Sequence, residues 1–367
     1  MLNEAKNSTK SLFPILPAGP TGLARMAAEA EHADDGHFVE FRTMNVRSVL
    51  NRSVSKRQLW LAYSINPYRG CEFGCRYCYA RYTHEFLAPN PATLASSATQ
   101  PAVNLRDPEA FERLIFLKQN AAWLLERDLK RIDPSQEIAL GTATDPYQPI
   151  ERRVQITRSL LEVFARKQGY KLGIVTKSNL IERDIELLAE IGRRNTLVVH
   201  LTITTPDAAL ARKLEPRAPR PDLRFAAVRR LREAGITAGI LCCPLMPGIN
   251  DSEKAIHEMA RRAADVDASF FAGNPLFLKP CSRPTYLAFL REHFPSLIAD
   301  YEVRFGAADF AAPVYSRQLA SIVARACRKH GLRQRSHDAL LTREEGFDPE
   351  RRPPENVAAP LQQRLFG

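Results

Sequence analysis

The sequence predicts an α/β protein built around a partial (β/α)6 barrel of the TIM type, with a flexible N-terminal arm and a small helical C-terminal extension. Three observations support this fold class. Short apolar runs recur along the middle of the chain, a helical pattern follows most of them, and the runs are nearly continuous in valine, isoleucine and leucine. Such runs are typical of parallel strands covered on both faces, and right-handed crossovers curl their sheet towards a barrel.

Six predicted strands form the barrel, and six units leave it open on one side. In chain order the strands are residues 59–65, 137–142, 171–176, 196–204, 236–243 and 269–277. A further extended segment, LIFLK, covers residues 114–118. Periodic apolar positions predict helices at residues 120–131, 157–168, 181–193, 221–234, 252–264 and 314–330.

The chain divides into three predicted regions. Residues 1–55 mix small, charged, proline and glycine residues without periodicity, which predicts a largely irregular arm. Residues 56–285 carry the barrel, and residues 286–367 predict a helical extension with a loose, proline-rich tail. The reactive face of such a barrel lies at the C-terminal ends of its strands, so loops that follow strands are the candidate site.

Hydropathy predicts a cytoplasmic protein without membrane association. No apolar run approaches the roughly 20 residues of a membrane span. The first residues, MLNEAKNSTKSLFP, lack the apolar stretch of a signal peptide. We therefore expect a reducing compartment, in which the seven cysteines stay as thiols.

Three cysteines, Cys71, Cys75 and Cys78, stand close together in the segment NPYRGCEFGCRYCYARYTHEF. In a reducing compartment this spacing favours metal binding or catalysis. The segment follows the first predicted strand, so it belongs to the reactive face of the barrel. Three thiolates leave one position of a tetrahedral metal open, which suits a catalytic metal, whereas a structural zinc site is normally closed by four ligands.

A fourth ligand is sought among the other cysteines and one histidine. His84, a few residues after the cysteines, is a candidate zinc ligand, although we favour a surface histidine in a polar loop. Cys281, in a loop past the last strand, is the strongest candidate for the fourth thiolate of an iron–sulfur cluster. Cys242 and Cys243 lie in an apolar strand and Cys327 in a helical pattern, so we expect these three to be packing residues.

The spacing Cys-x3-Cys-x2-Cys, with an aromatic residue just before the last cysteine, resembles the signature of the radical S-adenosylmethionine (SAM) superfamily. The resemblance extends over residues 58–280. It implies a 4Fe–4S cluster held by Cys71, Cys75 and Cys78, with one iron left to bind the amino and carboxylate groups of SAM. It also implies reductive cleavage of SAM to a 5′-deoxyadenosyl radical that takes hydrogen from a substrate. A flavodoxin- or ferredoxin-type reductant is the expected partner.

The same resemblance implies roles for polar residues near the strand ends. Tyr77 matches the aromatic position beside the adenine of SAM. Thr144 and Asp145, in TATDPYQP, match the acceptors for its amino group, and Lys177 and Ser178, in TKSN, suit its carboxylate. The structural alternatives are a loop tyrosine, an Asp-Pro turn, and a helix-capping serine beside a solvated lysine.

Two more polar residues are candidates for SAM binding. Thr202 lies near the end of the fourth predicted strand and Asn274 near the end of the last one. The resemblance implies contacts with the SAM ribose or carboxylate for Thr202, and Asn274 is a similar candidate. Inward-pointing threonine is also frequent barrel filling, which is the alternative for Thr202.

Several segments narrow the resemblance to the branch that contains spore photoproduct lyase and bacterial relatives often labelled DNA repair photolyase. These are CRYCYAR, VTKSN, LTITTPD, LEPRAPRP and PLMPGIND. Spore photoproduct lyase reverses a thymine dimer by hydrogen abstraction and return, and the resemblance implies that Tyr77 and Tyr79 belong to the hydrogen relay. The hydrogen-donor cysteine of that enzyme has no counterpart in ALGTATDPYQP, so the repair reaction itself is not implied. The chain is most similar to relatives that carry TDPYQP-x-E.

Charge makes nucleic acid the first candidate substrate. The formal net charge is +11, and residues 212–232 carry eight basic residues against two acidic ones. Phosphates bound there would meet Arg217, Arg220 and Arg224, whereas the alternative is a solvated helix face. Candidate stacking surfaces for a flipped base, which are equally candidate core residues, are three phenylalanines: Phe270, Phe271 and Phe277.

Three classes of function therefore remain open. The leading hypothesis is a radical SAM enzyme with an unidentified substrate. The second is a zinc-stabilised nucleic-acid-binding module without catalysis, which requires a fourth zinc ligand such as His84. The third is an electron carrier with four thiolates, which requires a distant cysteine such as Cys281.

Overall fold

The computed structural model describes residues 39–52, 61–87 and 104–334. Ten strands lie in these ranges and form two sheets. The strands are β1 (Glu40–Thr43), β2 (Leu50–Arg52), β3 (Leu61–Ile65), β4 (Tyr68–Arg69), β5 (Leu114–Leu117), β6 (Glu137–Leu140), β7 (Lys171–Thr176), β8 (Thr196–Thr202), β9 (Ala238–Leu245) and β10 (Phe271–Pro275).

The larger sheet has seven strands in the order β10-β9-β8-β7-β6-β3-β2. Its six strands from β10 to β3 pair parallel and in chain order, and each corresponds to one predicted barrel strand. Residues 59–60 of the first predicted strand lie outside the described ranges. Strand β2 adds an antiparallel edge that the sequence did not predict. The chain is thus a mixed α/β protein whose parallel sheet is consistent with a partial barrel.

Eleven α-helices lie in the described ranges. They are α1 (Ala110–Arg113), α2 (Ala121–Leu129), α3 (Glu151–Val154), α4 (Ile156–Ala165), α5 (Ile185–Arg194), α6 (Ala208–Leu214), α7 (Pro221–Glu233), α8 (Glu253–Asp265), α9 (Arg283–His293), α10 (Ile298–Phe305) and α11 (Pro313–Lys329). Short 3₁₀ segments occur at Tyr79–Leu87, Asn179–Asp184 and Pro295–Leu297. Every predicted helix is present, and the one predicted at 181–193 begins as the second of these 3₁₀ segments.

The structure also has a second sheet of three strands, in the order β1-β5-β4. The extended segment LIFLK is confirmed as β5, but it pairs with β1 and β4 outside the parallel sheet. The arm predicted as irregular contains β1 and β2, because both strands gain partners that only the folded chain supplies. Residues 1–38 of the arm and 335–367 of the predicted tail lie outside the described ranges.

The main hydrophobic core lies between the parallel sheet and the helices that cross over it. Helix α4 shows the pattern: Leu160, Leu161 and Phe164 are fully buried, at the spacing of one helix face. Helix α11 packs on β10 through Leu319 and Val323. In the described ranges, no helix has both the length and the apolar character needed to cross a bilayer.

The packing residues predicted on the last strands and on the C-terminal helix are mostly confirmed. Cys242 and Cys327 are buried in the main core, while Cys243 is only partly buried. Phe270 and Phe271 have no exposed surface, so they are core residues and not stacking surfaces. The third phenylalanine, Phe277, is 8% exposed and stacks on Phe310 with ring centroids 5.4 Å apart.

Candidate functional site

The cysteine loop follows β3 and β4 and reaches from Cys71 to Cys78. All three thiols are free; Cys71 and Cys75 are buried and Cys78 is partly exposed. Gly70 and Gly74 have φ angles of +87° and +61°, a backbone region that favours glycine. A Cβ at position 74 would also meet the side chains of Arg217 and Glu112, which would have to shift.

Main-chain hydrogen bonds join the cysteine loop to two distant parts of the chain. The Cys71 amide donates to Phe111 O at 2.9 Å, and the Arg76 amide donates to Leu214 O at 2.9 Å. Within the loop, the Cys78 amide donates to Cys75 O at 3.2 Å. Helices α1 and α6 therefore hold the loop in place without any contribution from a ligand.

An arginine bracket, formed by Arg81, Arg217 and the Glu112 carboxylate between them, encloses the cysteine loop. Arg81 Nη2 donates to Cys75 O at 3.1 Å and pairs with Glu112 at 3.3 Å. Arg217 donates to Glu72 O and to the other oxygen of Glu112. Arg217 was predicted to meet nucleic-acid phosphates. That contact stays a prediction, although its guanidinium is also engaged with the loop.

Burial and neighbouring charged groups both act on the two buried thiols of the loop. Burial raises the pKa of Cys71 well above its ordinary value, and Asp145, Cys75 and Cys78 add to the rise. Burial likewise raises the pKa of Cys75 to about 12, against the opposing charge of Lys177. Within residues 39–52, 61–87 and 104–334, no three metal-binding side chains gather as around a single ion. Three free soft donors on one loop fit an iron–sulfur cluster.

Tyr77 is held by a buried polar group that sequence reasoning missed. Its hydroxyl donates to Glu215, which also accepts from Thr204 Oγ1 at 2.7 Å. Arg224 Nη1 lies 2.6 Å from the other Glu215 oxygen, and both side chains are about 1% exposed. The phosphate contact predicted for Arg224 is therefore wrong, since this guanidinium is buried as the counter-ion of Glu215. Glu215 lies in the segment LEPRAPRP, but the many charges of that segment suggested that it is exposed on the surface.

Lys177 extends over the ring of Tyr77, with Nζ 5.7 Å from the ring centroid. Burial alone would lower the pKa of Lys177, but Cys75 and Glu215 raise it above its ordinary value. The ammonium group is therefore charged at neutral pH and lies next to the cysteine loop. A carboxylate ligand at this loop would find a fixed cation there.

Thr144 and Asp145 are buried and already bonded within the protein. Thr144 Oγ1 donates to Gly70 O at 2.6 Å. Asp145 accepts from Thr176 Oγ1 and from the amides of Tyr147 and Lys177, at 2.7 to 2.9 Å. Burial raises the pKa of Asp145, although these donors oppose the rise. Both residues join the loop after β6 to the cysteine loop or to the end of β7.

Three other predicted ligands end the strands around the same loop. Ser178 is buried and caps the 3₁₀ segment by accepting from the Leu180 amide at 3.2 Å, as its structural alternative predicted. Thr202 is buried at the end of β8, and its carbonyl accepts from Arg224. Asn274 is partly exposed in β10. Direct contact of these side chains with SAM stays a prediction.

The tyrosine after Cys78 is also bonded. The Tyr79 hydroxyl donates to Thr142 O, and the ring lies 5.0 Å from that of Phe277. Tyr79 and Tyr77 therefore flank the third cysteine with both hydroxyls committed as donors. Their predicted relay role stays a prediction.

The two candidate fourth ligands differ in their surroundings. His84 was expected at the surface, but it is 1% exposed, its Nε2 lies 2.9 Å from Leu114 O, and its ring packs on Phe111. It is a structural residue, so the zinc alternative loses its proposed fourth ligand. Cys281 lies beside the cysteine loop, with its Sγ 3.9 Å from Tyr79 O, and the electron-carrier alternative keeps it as a candidate.

Two polar residues that sequence reasoning did not single out lock the loop after β6 onto the cysteine loop. Gln148 accepts from the Glu72 amide at 2.9 Å and donates to Gly70 O at 3.3 Å. Glu72 accepts from the Ile150 amide at 2.7 Å. The segment TDPYQP thus holds the cysteine loop in place through these hydrogen bonds, which the sequence of the segment did not predict.

The fold and the loop together define the class: a parallel α/β sheet that carries three free cysteine thiols on the loop after its first barrel strand. The chain belongs to the Radical SAM superfamily, which matches residues 65–260, more than half of its length. A Mycobacterium tuberculosis protein described as uncharacterized is 29% identical over 358 residues, covering 96% of each chain. A Methanocaldococcus jannaschii protein, also described as uncharacterized, is 29% identical over 53% of this chain and 65% of its own.

Solved structures of spore photoproduct lyase share the fold. One mutant of that enzyme superposes with a TM-score of 0.55 at 16% identity, over 79% of each chain. Another mutant, with bound AdoMet and dinucleoside spore photoproduct, gives a TM-score of 0.53 at 17% identity, again over 79% of each chain. The predicted superfamily is confirmed, and the likeness to spore photoproduct lyase concerns the fold.

Proposed function

We propose that this protein is a radical SAM enzyme in which Cys71, Cys75 and Cys78 hold a 4Fe–4S cluster at the end of a partial (β/α)6 barrel. When bound, the cluster supplies one electron for reductive cleavage of SAM to a 5′-deoxyadenosyl radical, which takes hydrogen from a substrate. The observation that carries the proposal is the set of three free thiols on one braced loop in a chain of this superfamily. A flavodoxin- or ferredoxin-type protein is the proposed reductant.

Lys177 is the proposed partner of the SAM carboxylate. Its ammonium group stays charged beside the loop and has a fixed position over Tyr77. Asp145 serves the same end indirectly, because it accepts from the Lys177 amide and from Thr176 and so fixes the end of β7. Thr144, Ser178, Thr202 and Asn274 remain proposed contacts at the neighbouring strand ends.

Tyr77 and Tyr79 are the proposed hydrogen relay. The hydroxyl of Tyr77 donates to Glu215, so the phenol O–H that would give up a hydrogen atom has a fixed position. Burial and the Glu215 charge raise the pKa of Tyr77 well above its ordinary value, so the phenol is protonated at rest. A relay needs this resting state, because the side chain must have a hydrogen atom to give.

Nucleic acid is the proposed class of substrate. The net charge of +11 supports it, and so does the dinucleoside lesion bound by the related enzyme. The reaction need not be repair of that lesion, since ALGTATDPYQP carries no cysteine. Deuterium transfer from labelled SAM into oligonucleotides is the test of this class. If the label enters none of them while SAM is cleaved, the substrate is of another class.

Anaerobic reconstitution followed by reduction tests the proposed chemistry. The wild type and the matched control Cys327→Ala should bind about four irons per chain and release 5′-deoxyadenosine from SAM, whereas Cys75→Ala should do neither. Electron paramagnetic resonance of the reduced protein should change when SAM is added. A colourless protein with one bound zinc would contradict the proposal. Loss of the cluster in Cys281→Ala, with no spectral response to SAM in the wild type, would favour the electron carrier instead.

A further inference from the structure

One face of the three-stranded sheet collects cations around an aromatic ring just before the cysteine loop. In the strand register, Phe116 of β5 lies between Arg42 of β1 and Arg69 of β4. Directly paired residues share a sheet face, and Lys118 follows Phe116 by two positions, which returns it to the same face. These four residues are called the basic face below.

Among residues 39–52, 61–87 and 104–334, two of the three cations on the basic face have no carboxylate partner. Arg42 pairs with Glu40 at 2.6 Å. Arg69 donates only to a carbonyl, Thr83 O at 3.3 Å, and its Nε has no partner among the described residues. Lys118 is 4% exposed and donates to Asn66 O at 2.6 Å.

No ion pair of Arg69 or Lys118 exists in the part of the chain that the structure describes. Elsewhere in this protein, buried arginines have carboxylates: Arg224 has Glu215, and Arg81 has Glu112. A buried cation without a counter-ion is unfavourable unless something else compensates it. Burial and the charge of Arg69 lower the pKa of Lys118 to about 8, which reports this unrelieved positive potential. An anion bound at Arg69 would relieve it.

Aromatic side chains continue the basic face towards solvent. Tyr82 is close enough to Arg69 to affect its pKa, and the ring of Phe86 meets that of Tyr82 edge-on at 5.7 Å. Phe86 is 74% exposed, so its ring is open to a stacking partner. Cations that hold a phosphate backbone, interleaved with exposed rings that stack on bases, are the features by which proteins bind single-stranded nucleic acid.

We propose that the basic face, together with Tyr82 and Phe86, binds a phosphodiester of single-stranded nucleic acid and stacks one of its bases. That this nucleic acid is the substrate rests on the proposed function, whereas its binding does not. Arg69 directly precedes Gly70 and Cys71, so the bound strand would run beside the cysteine loop. The alternative interface is the basic segment 212–232, but two of its arginines, Arg217 and Arg224, form ion pairs within the protein.

Fluorescence anisotropy with a labelled single-stranded oligonucleotide of about 12 nucleotides tests the proposal. Titrations without SAM or reductant, from about 50 to 200 mM salt, give the affinity and its salt dependence. Arg69→Gln should weaken binding about tenfold or more and lower the salt slope by about one. Lys118→Met should act in the same direction. Arg69→Lys, which keeps the charge, should retain the slope.

Arg220→Gln is the matched control, since Arg220 is an exposed arginine of segment 212–232 that pairs with the exposed Asp222. Binding by this variant should equal that of the wild type. Loss of binding in Arg220→Gln but not in Arg69→Gln, or equally tight binding of inorganic phosphate, would overturn the proposal; so would no binding by a folded wild type. Arg69-dependent binding without SAM cleavage would uphold it and contradict the proposed function instead.

Discussion

Buried charges in this protein are of two kinds, and single residues reveal which is which. Burial alone would raise the pKa of Glu215, but Arg224 and Lys177 lower it below its ordinary value, so the carboxylate is compensated. By contrast, the only acceptor of the Lys118 ammonium among the described residues is the carbonyl of Asn66. A compensated pair is costly to break, whereas an isolated charge is costly to keep.

Replacement of Lys118 by methionine should stabilise the ligand-free protein at pH 7. The lysine pKa falls to about 8 from 10.5, which corresponds to a burial cost of about 3 kcal/mol. Between these values the unfolded chain binds the proton and the folded chain does not, so wild-type stability rises with pH and the advantage of Lys118→Met shrinks. Urea denaturation at pH 7 and near pH 10 measures both effects.

The control for this measurement is Lys130→Met at an exposed position, which should change stability by less than about 0.5 kcal/mol at either pH. A destabilised Lys118→Met whose deficit does not vary with pH would show that the lysine is better compensated than its surroundings indicate.

Single residues also mark where sequence reasoning succeeded and failed. The three cysteines were found because their spacing is local information. His84 and Arg224 were misjudged because a polar residue can be buried only if a partner awaits it, and their partners lie 30 and 9 positions away. For His84 the partner lies in another segment, and for Arg224 it lies in the same segment but the pairing is set by the fold.

Among the elements, the long parallel strands were predictable and the short ones were not. Strands β7, β8 and β9 are nearly continuous apolar runs, and such a run by itself predicts a buried strand. Strands β1 and β4 have four and two residues and no apolar run, and they exist because β5 offers an edge on each side. The sheet that carries the basic face was therefore invisible to pattern reasoning.

The cysteine loop yields a prediction at the scale of the element. Gly74→Ala should lose more stability than Gly169→Ala, although both glycines have positive φ and share that backbone cost. A methyl group at position 74 collides with Arg217 and Glu112, whereas nothing lies within 4 Å at position 169. We expect an additional loss of about 1 to 3 kcal/mol, together with less iron after reconstitution.

Thermal denaturation of both variants without cluster, followed by iron analysis, checks this expectation. Equal stability and equal iron content in the two variants would mean that the arginine bracket yields easily and does not define the loop.

At the scale of the whole molecule, the C-terminal helix completes the parallel sheet. Helix α11 lies against β10, the last strand, and buries Leu319 and Val323 in the main core. The sequence predicted this helix but not its docking site, because an amphipathic pattern gives the face that is buried and not the surface that buries it. The net charge of +11 likewise did not show where a basic surface lies, since many arginines form ion pairs within the protein.

Leu319→Ala should destabilise the whole domain by about 2 to 4 kcal/mol, because the leucine is 2% exposed in a continuous core. Val314→Ala on the same helix is the matched control, since Val314 is 58% exposed and should contribute little. A single cooperative transition shifted in Leu319→Ala alone is the expected outcome of urea denaturation. A separate early transition would mean that the helix melts independently of the sheet.

The arginine bracket has a consequence for how the enzyme is assembled. Arg81, Arg217 and Glu112 shape the loop through contacts among themselves and with its carbonyls, and we expect these contacts to persist whether or not the proposed cluster is bound. If the proposed cluster is lost by oxidation, the cysteine loop should keep its fold and be able to bind a new cluster. Maturation would then require only that a cluster is delivered to a loop that is already folded, and the same protein molecule could be loaded more than once.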